Sequence, residues 1–196
     1  MSRKNRFAAV ILGGALAALP VLAQEGGRQE VSVQAFGSFV KSTVSNGVSQ
    51  DASNSGGVLA NYRFFFTPNN GVEVNYGYSL NTQNYGLPTG TVGIKANQHE
   101  VTAAYVYRHP LRKFTPFVEA GVGGLVFDPT GFTGASTQAR AAFVYGAGAD
   151  FNLTKRVFVR AEYRGLVYNS PTFDLVEGAD RVTHRAEPSV GFGYRF

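Results

Sequence analysis

Not one of the 196 residues is a cysteine, and none is a tryptophan. Without thiols the chain can build neither a disulfide framework nor a thiolate metal site. Charged residues are scarce as well, at 16%, against about 25% in an ordinary soluble domain. Outside the N-terminus no apolar run approaches the roughly 20 residues that a membrane-spanning helix requires. What the chain has instead is Gly (24 residues), Phe (16) and Tyr (10), set in short segments that alternate between two kinds of side chain.

The formal charge of +5 is concentrated at the start of the chain. Arg3, Lys4 and Arg6 precede an almost wholly apolar stretch over 7–22, and Val21-Leu22-Ala23 stands before the polar Gln24. A basic head, an apolar middle and a small residue ahead of a polar start make a secretory signal peptide over 1–23, cut between Ala23 and Gln24. The stretch is short and interrupted by Pro20, which argues against a retained anchor. Removing the leader leaves 15 basic residues against 13 acidic ones, or +2. The basic balance therefore implies no nucleic-acid partner.

After a short lead over 24–29, the body of the chain over 30–196 reads as one domain of eight strands. They are expected over 30–40, 54–66, 72–80, 98–108, 114–127, 138–151, 156–168 and 182–196. The last shows the pattern plainly. Ala186, Pro188, Val190, Phe192, Tyr194 and Phe196 share one face, while Arg185, Glu187, Ser189, Gly191, Gly193 and Arg195 share the other. A soluble sheet does not need a charged face as long as its apolar one, whereas a barrel closed in lipid needs both. Connections alternate in length. Those at 67–71, 109–113 and 152–155 are short, and those at 41–53, 81–97, 128–137 and 169–181 are long. This is the rhythm of an eight-stranded antiparallel up-and-down transmembrane β-barrel of the all-β class, with short periplasmic turns and longer outer loops.

The closing residues Val190, Phe192, Tyr194 and Phe196 resemble the C-terminal signature of bacterial outer-membrane barrels, which the assembly machinery of that family reads. With the eight strands, nearly the whole mature chain resembles the small barrel family of OmpX-like proteins and the OmpA-like transmembrane domain. The stretches 61–77 and 143–164 are most similar to its hairpins. The resemblance implies a location in the bacterial outer membrane, with three kinds of partner: outer-membrane lipids, the barrel assembly machinery, and an unknown extracellular partner at the loops. The chain departs from the OmpA pattern in ending with its eighth strand, so peptidoglycan binding is not expected.

An eight-stranded barrel is wide enough only for its own side chains or one small ligand. Alternation sends Arg63, Glu73, Glu100, Glu119, Arg140, Asp150, Arg160, Glu162, Arg164, Arg185, Glu187 and Arg195 inward. Opposite charges in that space are expected to pair into a plug, because a buried unpaired charge is strongly unfavourable. Pro188 sits in mid-strand with no N–H to donate, so a bulge or a broken pair is expected there.

Other features carry weaker chemistry. His99 and His184 face outward near the outer rim and His109 lies in a turn; a lipid deacylase would need such a His beside a Ser and a carboxylate. Gly121-Val122-Gly123-Gly124 and Gly146-Ala147-Gly148 fall inside strands rather than before a helix, so they are not phosphate loops. Asp128, Asp174, Glu177 and Asp180 lack calcium-loop spacing. No catalytic residue, metal ligand or cofactor is assigned. The expected function is non-enzymatic, a rigid wall displaying polar loops for adhesion, surface interaction or envelope integrity. A lipid-modifying enzyme, a narrow pore and a lipocalin-like binder are the alternatives. On envelope fractionation the protein should run with the outer membrane and migrate faster on a gel unheated than boiled. A soluble fraction with no such shift would contradict the barrel.

Overall fold

The computed structural model describes residues 28–45, 48–87, 90–130, 136–171 and 181–196. The leader expected over 1–23, its cleavage at Ala23 and Gln24, and the lead as far as residue 27 lie outside them. The described residues contain ten strands and no helix. The strands are β1 (Gln29–Val40), β2 (Thr43–Ser45), β3 (Val48–Ala52), β4 (Ser55–Phe65), β5 (Asn70–Leu87), β6 (Gly90–Arg108), β7 (Phe114–Thr130), β8 (Gln138–Asn152), β9 (Val157–Asn169) and β10 (Val182–Arg195).

Eight of them make a closed antiparallel ring. Its order is β1-β4-β5-β6-β7-β8-β9-β10, and β10 returns to β1 through pairs from Glu30 with Arg195 to Val40 with Arg185. Period-two sequence becomes period-two burial around this ring. Along β5, Val72, Val74, Tyr76, Tyr78 and Leu80 are exposed while Glu73, Asn75 and Ser79 are buried. The apolar residues therefore point out of the barrel, over nine positions from 72 to 80, the length a tilted strand needs to cross hydrocarbon. Aromatic rings gather below that band, with Phe66 near Tyr105, Phe114 stacked on Phe151 and Tyr194 edge-on to Phe196. The phenyl rings of Phe66, Phe114, Phe151 and Phe196 are all exposed.

Two segments read as loops prove to be strand. Most of 81–97 continues the β5–β6 hairpin, which stays paired up to Leu87 with Gly90. Most of 41–53 forms β2 and β3, and β3 lies against β5 directly beyond β4. The physical reason is that the outward residues of this extension need no hydrocarbon neighbour, so they are polar and the apolar alternation fades while the backbone ladder runs on. Between Ala52↔Gln83 and Gly57↔Ser79 one strand spends five residues where β5 spends four. The extra residue makes a bulge, tied down by Ser53 N donating to Thr82 O at 2.8 Å and Thr82 N donating to Ser53 Oγ at 2.9 Å.

At Pro188 the ladder breaks and does not bulge. Pairing of β1 with β10 stops after Phe36↔Ser189 and resumes at Phe39↔Ala186 in the same register, while pairing with β9 runs straight through Pro188↔Tyr163. The missing N–H thus costs pairs on one side only.

Two seams of the ring depend on glycine. A Cβ on Gly121 would lie 2.1 Å from Ala103 O, one on Gly123 would lie 2.3 Å from Val101 O, and one on Gly191 would lie 2.0 Å from Val33 O. These close approaches fall between β6 and β7 and between β10 and β1, on opposite sides of the eight-strand ring, where a side chain would meet the neighbouring backbone. Replacing Gly121 by Val should prevent closure, read as loss of the heat-shifted folded band after refolding into detergent. Gly124→Val should fold normally, since the nearest atom to its Cβ lies 3.9 Å away.

Candidate functional site

The interior is built in three layers, and the inward parity of each strand decides which residues enter it. At the end with the short turns, Phe65, Val106 and Phe117 form a small apolar cluster, with Phe158 fully buried beside it. Toward the opposite rim lies a larger one of Ile94, Ala96, Ala104, Leu125, Phe127, Ala142, Val144, Leu166 and Tyr168. Between them sits a band of arginines and carboxylates.

In that band Arg63 (β4) is paired with Glu73 (β5) and reaches Glu119 (β7) at 3.2 Å and Glu162 (β9) at 3.4 Å. Arg160 (β9) grips Asp150 (β8) with two hydrogen bonds of 2.6 and 2.9 Å and meets Glu30 (β1) at 3.2 Å. Arg164 (β9) is paired with Glu100 (β6), with Glu187 (β10) at 3.2 Å and with Glu119 at 3.5 Å. Arg185 (β10) closes the group on Glu100 at 2.5 Å and Glu187 at 2.6 Å. At the turn end, Glu30 also takes Arg108 and, at 2.7 Å, Arg195.

Arg63, Arg160, Arg164 and Arg185 have at most 1% of their surface exposed. Charges so deeply buried are tolerable only when every one is answered. Guanidinium forks do this well, since each offers five donors in a fixed plane. Neutral groups complete the set: Asn61 donates to Glu73 at 2.8 Å, Gln34 donates to Glu162 at 3.0 Å, and Gln98 accepts from Arg185 at 2.8 Å. The lower phenyl rings take the guanidinium faces, with Arg108 3.4 Å above Phe65 and Arg63 3.9 Å above Phe117. Carboxylate oxygens of Glu73, Glu119 and Glu162 lie within 4.8 Å of one another. Arg63 stands against all three, so a guanidinium already fills the place a cation would take.

Eleven of the twelve residues expected inside are thus brought into one connected band. Arg140 sits apart from it, part-buried high on β8, where its Nη2 donates to Gln138 at 3.3 Å. The band also takes in Glu30 and Arg108, which stand outside the twelve, although alternation puts Arg108 on the same face as Glu100 and Thr102. Glu30 likewise shares the parity of its inward neighbours Ser32 and Gln34, and following that parity to the strand end finds it. Alternation also places the buried Phe36 and Phe65 on the inward face, beside Ser32 and Arg63; the inward Phe117 and Phe158 are the rings it leaves unassigned.

The outward sites are simpler. Val190, Phe192, Tyr194 and Phe196 are all exposed, and Phe196 N donates to Gln29 O at 2.9 Å, which fastens the last residue to the start of β1. His99 Nδ1 lies 2.9 Å from Tyr76 Oη and His184 Nε2 lies 2.9 Å from Tyr145 Oη. Among the described residues neither is hydrogen-bonded to a Ser or a carboxylate. Tyr145 lies flat across Gly165, where a Cβ would stand 2.5 Å from its ring. His109 is exposed in its turn. Asp174, Glu177 and Asp180 lie outside the described residues.

Removing one member of a buried pair should be costly. Arg160→Met is expected to lower stability by about 3–5 kcal/mol, measured by reversible urea unfolding in detergent micelles. Adding Asp150→Leu to it should cost clearly less than the sum of the two single changes. Strict additivity would mean the pair is not coupled.

Comparisons with known proteins bear on this architecture. Similar solved structures include OprG of Pseudomonas aeruginosa, 14% identical over 88% of this chain and 97% of that one, with a TM-score of 0.62. Neisserial surface protein A is 15% identical over 88% of this chain and all of that one, with a TM-score of 0.64. Ail, the attachment invasion locus protein of Yersinia pestis, crystallised with the heparin analogue sucrose octasulfate, is 21% identical over 88% and 100%, with a TM-score of 0.54. At such identities the likeness concerns the fold. No curated protein sequence matches the chain. The model of the outer membrane protein beta-barrel domain family matches residues 7–196, nearly the entire sequence, and with the closed ring, the apolar belt and the charged interior this shows that the chain is a bacterial outer-membrane protein belonging to that family.

Proposed function

We propose that this protein is a non-enzymatic surface scaffold: a sealed barrel that holds a raised sheet outside the cell for contact with an extracellular partner. The observation that carries this reading is the charged band. Thirteen ionisable groups, six guanidinium and seven carboxyl, occupy the interior and its mouth, with apolar clusters above and below. A barrel filled in this way serves as a wall rather than a passage.

The raised part supports the same reading. Residues 81–87 of β5 stay paired with residues 90–96 of β6, which extends about 23 Å of strand beyond the apolar belt. A paired sheet keeps its shape where an open loop would not. Attachment, which the name of Ail states for that protein, is the kind of contact such a surface serves. The tyrosine partners of His99 and His184 give both histidines an interfacial packing role in place of catalysis. On this reading outer-membrane lipids surround the belt, and the assembly machinery engages the strand ending in Phe196.

Two measurements test the proposal together. In planar bilayers the intact protein should give no large, stable conductance. Cells displaying a variant trimmed of residues 83–94 should retain the folded, heat-shifted band and lose attachment relative to the full chain. Steady ion current through the intact barrel, or attachment unaffected by the trimming, would count against it.

A further inference from the structure

The three short turns at the inner end of the barrel carry very unequal charge. Residues 66–69 are Phe-Thr-Pro-Asn and contain no ionisable group. Residues 109–113 and 152–156 contain Arg112, Lys113, Lys155 and Arg156 and no acidic residue. All four cations are exposed. The nearest carboxylates in sequence, Glu119 and Asp150, point into the barrel, where they are held by Arg63 and Arg160.

The two basic turns are neighbours in space. Asn152 N donates to Lys113 O at 3.0 Å, and the strands leaving them bring Phe114 opposite Phe151. Their cations therefore form one arc on one side of the ring. Each turn also carries an exposed leucine, Leu111 at 41% and Leu153 at 61%, and the stacked Phe114 and Phe151 rings stand directly above on the outward face. Arg156 is steadied on that face, its Nη1 donating to Tyr194 Oη at 3.2 Å.

We infer that this arc is a binding surface for the phosphate headgroups of anionic phospholipids in the periplasmic leaflet. Cations at headgroup level beside apolar side chains at acyl-chain level match the two ends of a phospholipid. A polyanion lying in the periplasm would find the same charge, yet it would have no use for the leucines and phenyl rings that continue it into the bilayer. The turn at 66–69 is neutral, so the charge that the turns contribute falls on the β6–β9 side, and the lipids it gathers are arranged asymmetrically around the barrel.

The test uses the full mature barrel in bilayer discs containing spin-labelled lipids. At low salt, phosphatidylglycerol should be preferred over phosphatidylcholine at the protein surface by about three- to tenfold. The preference should fall toward unity in the variant R112Q/K113Q/K155Q/R156Q and in 1 M salt. It should persist in K41Q/K95Q, which removes the same kind of charge from the opposite end. Folding of each variant is read from its heat-shifted band, and K113Q/K155Q, expected to lose part of the preference, serves if the fourfold variant does not refold. Equal lipid selectivity in the folded variant and the parent overturns the inference. So does loss of sedimentation with peptidoglycan while lipid selectivity is retained, which would assign the arc to the cell wall instead.

Discussion

No peptide group can stand unpaired in hydrocarbon, where each orphaned N–H or C=O costs several kcal/mol. This single constraint forces the sheet to close, and closure sets nearly everything else. The seam between β1 and β10 completes the ring, so the last strand is also a neighbour of the first. Pro188 is tolerable because its lost donor faces only one of its two neighbours and the register recovers within three residues. The glycines at 121, 123 and 191 leave clear the space where a Cβ would meet the neighbouring strand's carbonyl.

Closure with so few strands leaves an interior the size of its own side chains. The usual sorting is then inverted, with hydrocarbon outside and ions within. A one-residue slip in register would turn Arg63, Arg160 or Arg164 toward lipid, so the charged band specifies the register as well as filling the space. The residues concerned come from all eight ring strands, from Glu30 on β1 to Arg195 on β10, and the band braces the wall across the barrel.

The two ends of the molecule follow from where the hydrocarbon stops. On the side of the long connections, the ladder of β5 and β6 continues past the belt with polar outward residues and is widened by β3. On the side of the short turns the chain reverses at once, and the side chains left outside are either neutral or basic. The wall is therefore chemically different at its two ends.

Much of this was legible from residue order. Side-chain alternation is local, a property of each strand's own backbone, so the eight crossings, the outward belt and the inward parity of Arg63, Glu73, Arg160 and Arg185 could all be read directly. Where alternation loses its apolar signal above the belt, strand reads as loop, as at 81–97; at strand ends the parity that Arg108 shares with Glu100 does not by itself announce an ion pair with Glu30. Which arginine meets which carboxylate was beyond any local pattern. Arg160 and Glu30 stand 130 positions apart and become neighbours only because the ring closes in one register, which brings distant strands face to face across the interior. Residue order settles which face of each strand belongs to lipid; closure settles the ion pairs and the height of the outer sheet, because those depend on how strands are staggered against one another.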